Sequence, residues 1–277
     1  MRFPPAFPAL AGLLLAAVNA WGYDHAISTW QAASDLNGTK SAEQLAWFYE
    51  ENFSGYDWSV YLLNGVASSG LVSEVSQVPG SRPDFVPKAA DFNGGDAFWH
   101  VNDGWLVAFT PDGKRGGLFW FSEDGKKNYQ ISPHEVRQFL DWNGRLVAIE
   151  GVERPSISQG AVIELLRDQD SRQWQAKVLK NLPNAPRAAV VTPNHLMMIV
   201  LADSLVTLTP GLWLDFPVYD TNWTYLDPNS VVVSSDLKRA YIGMRRFVAE
   251  VNLEKGEYHY LVPDKSFVPT SKAITSN

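Results

Sequence analysis

Five histidines are the side chains best suited to metal binding or proton transfer near neutral pH. They are scattered along the chain at His25, His100, His134, His195 and His259. None stands in a His-x-x-x-His pair or beside a glutamate at helical spacing, so no metal centre is expected from them. Cysteine is absent, which removes thiolate ligands, a thiol nucleophile, a disulfide framework and a lipid-modified N-terminal cysteine. No Gly-x-Ser-x-Gly elbow supports a serine hydrolase. Gly94-Gly95 and Gly116-Gly117 sit at strand joints rather than in a phosphate-cradling loop. Glycoside hydrolysis needs two convergent carboxylates, or a tyrosine nucleophile with an acid partner. Glu153, Asp203, Asp220 and Asp227 could supply acids, but no motif groups them, and aspartates populate corners for their own reasons. The chain therefore reads as a non-enzyme without a cofactor.

The elements that would position any site follow a repeated grammar. Asp96 to Val101, Trp105 to Thr110, Gly117 to Ser122 and Lys127 to Ser132 are short apolar runs. Asn102-Asp103-Gly104, Pro111 to Gly116 and Glu123-Asp124-Gly125 separate them, and such corners accept positive φ cheaply. Four strands per unit describe one antiparallel blade. The first corner recurs at Gly104, Gly144, His195 and Leu237, intervals of 40, 51 and 42 residues, which lie in the range of propellers and arrays. Third strands align at Leu118, Val162, Leu205 and Phe247. Outer strands align at Lys127–Ser132, Trp174–Leu179, Trp213–Tyr219 and Tyr258–Val262. The long middle interval is assigned to a polar, proline-bearing loop from Val152 to Gln159. Ser132-Pro133-His134-Glu135 carries a helix-start signal, yet Asn143-Gly144 before an apolar run favours a strand over Val136–Trp142. A fifth unit is expected earlier, with a strand from Trp58 to Leu63, a turn at Asn64-Gly65 and a second strand from Gly70 to Val78. Ile27, Trp30 and Ala33-Ser34, with a capping box at Ser41 to Gln44, predict short N-terminal helices.

Ser122-Glu123-Asp124-Gly125-Lys126 resembles the Asp-box turn of sialidase-like propellers, Ser-x-Asp-x-Gly, with one residue fewer between Asp124 and Gly125. In that family the motif is structural, so the resemblance implies a propeller and no sialidase activity. Residues 57–263 as a whole resemble the broad class of secreted β-propellers. The expected architecture is all-β, a single propeller of about five blades, with a large β-sandwich or jelly roll as the alternative. The expected organisation is a signal peptide over 1–20, an N-terminal helical closure segment over 21–56, the propeller over 57–263 and a flexible tail over 264–277. Arg2, the apolar run from Ala9 to Val18 and small residues at Val18-Asn19-Ala20 predict an exported, periplasmic or secreted chain. The apolar run is short for a membrane span, so no stable membrane insertion is expected after cleavage.

The net charge of −7 and the lack of a basic run argue against a nucleic acid partner. Eleven tryptophans mostly suit gaps between neighbouring sheets. The loops between second and third strands, and those between blades, crowd one face of a propeller. That face should collect Lys114, Arg115, Glu153, Arg154, Arg187, Trp223, Arg245 and Arg246. Arginine forks bind carboxylates and phosphates, and Arg and Trp are favoured interface anchors. The expectation is an envelope binding protein that recognises a protein partner through this face. A special case is an immunity or inhibitor protein neutralising a periplasm-acting toxin or envelope hydrolase. The alternatives are a glycan-acting hydrolase or lyase, and a structural scaffold for envelope assembly.

Overall fold

A computed structural model describes residues 26–33, 56–72, 83, 85, 97–109, 116–133, 135–154, 156–221 and 223–264. Nineteen strands account for most of them. β1 is Gln31–Ala32, β2 Trp58–Leu63 and β3 Val66–Leu71. The next four are β4 Ala97–Val101, β5 Gly104–Phe109, β6 Gly117–Phe121 and β7 Asn128–Ser132. β8 Val136–Trp142, β9 Arg145–Arg154, β10 Ile157–Arg167 and β11 Trp174–Leu182 follow. β12 Pro186–Val191, β13 Met197–Leu201, β14 Leu205–Leu208 and β15 Leu214–Val218 form the next set. The last four are β16 Ser230–Val233, β17 Arg239–Gly243, β18 Val248–Asn252 and β19 Glu257–Val262.

Each set of four is a separate antiparallel sheet whose strands lie in chain order, while β2 and β3 form a fifth, two-stranded sheet. The first strands are the neighbours between sheets: β4 lies against β8, β8 against β12, β12 against β16, and β16 against β2. Sheets that meet through their first strands and fan outward are the blades of a β-propeller. Among the described residues the sheets do not stack as the two facing layers of a sandwich. β1 pairs antiparallel with β19, Gln31 opposite Val262 and Ala32 opposite Leu261, so the final blade has five strands.

Backbone chemistry at the corners sets these blades. Asn143 and Gly144 have φ of 56° and 74°, the left-handed pair that matches the twist of a two-residue hairpin. His195 and Leu237 occupy the same corner in later blades with φ of 66° and 58°, a region costly for residues with a Cβ. Side chains beside them offset that cost. Ser234 Oγ donates to Asp236 and accepts from the Arg239 amide, and Thr192 Oγ1 donates to Asn194 and accepts from the Leu196 amide.

The core lies between sheets rather than within one. Val147, Ile149 and Val162 pack on Ile199, Leu201 and Val206 of the next blade, and Val200, Leu205 and Val218 pack on Val231, Ala240 and Ile242. Trp58, Trp142 and Trp223 are fully buried gap fillers, each contributing about 4–6 kcal/mol of transfer free energy before entropy. Gly243 lets β17 approach β2, because a Cβ there would sit 2.5 Å from the Trp58 carbonyl oxygen. β8 is a strand despite its helix-start signal. It pairs with β9, and Gln138 bonds both the amide and the carbonyl of Ala189 on the adjoining blade at 2.9 and 3.0 Å.

Three expectations are corrected. The stretch from Val152 to Gln159 is no loop: β9 and β10 pair through it, Ile157 opposite Arg154 and Gln159 opposite Val152. Ladder bonds there outweigh the polar composition. The Ile27–Ala33 segment is not an α-helix but one 3-10 turn, Ile27–Thr29, followed by β1, since pairing with β19 requires extended backbone. In the fifth unit the second strand is Val66–Leu71, directly after the Asn64-Gly65 turn. The capping box at Ser41 to Gln44, the apolar N-terminal run, the strand beyond residue 72 and the tail from residue 265 lie outside the described residues.

Candidate functional site

Antiparallel order puts the β9–β10 and β17–β18 corners, and the segments entering β2, β12 and β16, at one end of the propeller. Four charged side chains meet there in alternation, with Asp57 beside them. Arg187, at the start of β12, pairs with Glu153 at the end of β9 through one guanidinium nitrogen. Its other terminal nitrogen, Nη1, donates to Asp227 Oδ1 at 2.9 Å. Asp227 Oδ2 accepts from Arg245 Nη2 at 3.2 Å. Arg245 forms a main-chain bridge with Asp57, which lies just before β2. Asn229 steadies that end by donating from Nδ2 to Asp57 Oδ1 at 2.8 Å and to the Trp58 carbonyl at 3.0 Å.

Burial grades this network. The side chains of Arg187 and Arg245 are 17% and 23% exposed, whereas Asp227 is 43% exposed. Partly desolvated pairs of this kind are costly to break one member at a time. Burial pushes the Asp57 carboxyl above its ordinary value; Arg245 opposes that shift and Asp227 adds to it. Arg246 is held differently. Its φ is 73°, its amide donates to the Tyr56 carbonyl at 2.6 Å, and its carbonyl accepts from the Trp58 indole at 3.1 Å. The Arg246 guanidinium lies 5.8 Å from the Tyr56 ring centroid, within cation–π range.

The structure thus joins Glu153, Arg187 and Arg245 in one network and sets Arg246 beside it. It does not present Trp223 to a partner: that residue is fully buried, edge-on to Tyr258 at 5.4 Å. It supports the 3-10 turn Trp223–Tyr225 that delivers Asp227. Arg154 ends β9, and Lys114 and Arg115 lie outside the described residues. Of the four candidate acids, Asp203 is bonded by Asn184 at 2.9 Å and Glu153 and Asp227 face arginines. Asp220 has φ of 59° beyond β15.

Sequence reasoning missed Asp57, Asn229 and the central place of Asp227. The signal was available: all three belong to the residues entering an inner strand, the same positions that selected Arg187. It also missed Glu150, 2% exposed, which accepts from Ser132 Oγ at 3.0 Å. Glu150, Gln159 and Asn181 border a cleft of about 340 Å³ at this end of β9 and β10.

His100 lies at the opposite end, where Nε2 meets Glu123 Oε1 at 3.0 Å. Among the described residues no group of three or more His, Asp or Glu is placed to hold a metal ion. No described helix is long and apolar enough to cross a membrane.

No protein-family model matches the chain, and no curated protein matches it. Solved structures similar to it include a streptogramin B lyase, at 14% identity and a TM-score of 0.42 over 64% of this chain and 58% of that one. Virginiamycin B lyase from Staphylococcus aureus is 13% identical over 64% of this chain and 59% of that one, with a TM-score of 0.42. A structure of a nidogen/laminin complex is 10% identical over 64% of this chain and 66% of that one, again with a TM-score of 0.42. The chain spans less than two thirds of the length of each. At this distance the likenesses say nothing of activity, and any functional reading rests on the geometry above.

Proposed function

We propose that the chain is an exported envelope protein that binds a protein partner through the propeller end bearing Glu153, Arg187, Asp227 and Arg245. The observation that carries this reading is the network itself. Charges from the second, third and fourth complete blades, and from the segment entering β2, are gathered and held in register at one end of an acidic protein. Side chains anchored at strand ends lose little freedom on docking, which preserves affinity. Arginine forks and a rim aromatic such as Tyr56, 36% exposed, are favoured anchors. Within this reading the protein acts as an immunity or inhibitor protein, neutralising a toxin or hydrolase that works in the periplasm. A stiff surface with preset charges suits tight, selective capture.

A photo-crosslinking side chain placed at Thr224, exposed beside Glu153, tests the assignment against one at Ser235, exposed on the far corner. A single adduct of defined mass at Thr224 and none at Ser235, in native envelope extract, is the expected result. Equal adducts at both positions, or none at Thr224, would overturn it.

A further inference from the structure

Two guanidiniums from different blades share one carboxylate, and that carboxylate is the most solvent-exposed of the three groups. Arg187 Nη1 reaches Asp227 Oδ1 at 2.9 Å and Arg245 Nη2 reaches Oδ2 at 3.2 Å, so each oxygen serves one arginine. The geometry points to Asp227 as an internal stand-in for a carboxylate of the partner. On this account the bound partner inserts an acidic side chain or a C-terminal carboxylate between Arg187 and Arg245, and Asp227 swings out. The inference rests on the binding-face reading above and names the chemistry of what that face takes.

Three features make Asp227 the removable member. The arginines have anchors besides Asp227. Arg187 keeps its side-chain contact with Glu153, and the main chain of Arg245 keeps its bridge to Asp57 and its amide bond to the Leu226 carbonyl at 2.7 Å. Asp227, by contrast, belongs to no strand and stands between the 3-10 turn Trp223–Tyr225 and β16. Its φ is 48° and Pro228 follows it. A residue with a Cβ adopts that region at a cost, and a following proline narrows its choices further.

The exposure order also fits. The cations sit deeper, at 17% and 23%, and the anion sits outside them at 43%. A ligand arriving from solvent therefore meets Asp227 first and finds preset donors beneath it. Carboxylate is the matching group, because two N–H donors from separate arginines fit its two oxygens. The exchange is charge-balanced at the site: one carboxylate leaves the two guanidiniums and another takes its place.

The test uses the full chain and two labelled peptides. One carries internal glutamates and an amidated C-terminus; the other has only uncharged side chains and a free C-terminal carboxylate. Asp227→Gly removes the internal anion and tolerates positive φ. It should bind one of the peptides at least about tenfold tighter than the native chain, a gain of about 1.4 kcal/mol. Which peptide gains identifies the source of the carboxylate. Adding Arg245→Gln to Asp227→Gly should abolish the gain. Cooperative unfolding of Asp227→Gly with no gain for either peptide would overturn the inference. If Asp227→Gly does not fold, Asp227→Asn, which keeps the side-chain volume, serves with the same criterion. If neither folds, Arg245→Gln in the native background decides: unchanged peptide affinity refutes the inference, and a loss supports it. A crosslinked adduct at Thr224 together with no peptide gain would leave the binding face standing and remove only the carboxylate exchange.

Discussion

The carboxylate of Asp103 accepts a hydrogen bond from the indole nitrogen of Trp174, 3.1 Å away on the neighbouring blade. The same carboxylate accepts from Trp120 at 3.4 Å and pairs with Arg167 at 2.9 Å. Tyr129 completes the clamp, stacking on Trp120 and accepting the Trp174 amide at 2.6 Å. One corner residue thereby ties two blades through three donors. Asp103→Ala should cost about 2 kcal/mol, since half-buried donors lose their acceptor together. Urea unfolding followed by tryptophan fluorescence measures this directly.

A second prediction concerns the docking of the two-stranded sheet. A Cβ at Gly243 would stand 2.3 Å from Ser230 Oγ and 2.5 Å from the Trp58 carbonyl oxygen. Gly243→Ala should therefore push β2 away from β17, at about 2 kcal/mol. Amide exchange at Val60, whose N–H donates to Ser230 Oγ at 2.8 Å, should accelerate. Amides of β8 and β9 should keep their protection.

Stability should depend on pH in two opposing ways. A hydrogen bond from Ser122 and another from the Lys126 amide hold Asp124 down at about 2. Asp168, bonded by Ser171, and Asp236, bonded by Ser234, are lowered likewise. Their contribution is present above the ordinary value of 3.8 and is lost as pH falls toward about 2. Asp57 runs the other way. Its raised value, caused first by burial, gives a contribution that is present below 3.8 and lost as pH rises through the raised value. Asp124→Asn should flatten the acid side of the profile. Asp57→Asn should raise the urea midpoint at about pH 7 and leave it unchanged at about pH 3. Midpoints across the pH range settle both.

The indole of Trp142 crosses a blade boundary to donate to the His195 carbonyl at 2.9 Å, at a corner whose φ is 66°. Trp142→Phe removes that bond and leaves a smaller ring in a fully buried position. A loss of about 2 kcal/mol is expected, read as a lower thermal midpoint with the unfolding slope unchanged.

Much of the blade pattern was legible because it is local. Asn143-Gly144 announces a hairpin by backbone chemistry alone, and Leu118, Val162 and Leu205 align because a strand repeats its apolar side at a fixed distance from its corner. The turn spotted once at Ser122-Glu123-Asp124 recurs as Thr192-Pro193-Asn194 and Ser234-Ser235-Asp236, with the same bonds. What escaped was decided by distant partners. Gln31 and Ala32 are a strand only because β19 is there. The pairing of Arg187 and Arg245 with acidic side chains was not legible, since Arg187 and Asp227 meet across forty residues. Trp223 looked like an anchor by composition and is an internal prop by packing.

The seam between β1 and β19 sets the tempo of assembly. Its two sides, Gln31 and Val262, are made far apart in time on any ribosome or translocation pore. The other strand ladders among the described residues join neighbours in sequence and can zip from their own corners, while this one must wait for a distant meeting, the slow kind of event in protein folding. Until then the outermost strand keeps a bare row of amides and carbonyls, open to a strand from another chain. Crowded synthesis should thus tax this protein at its last stitch, whatever the strength of the finished fold.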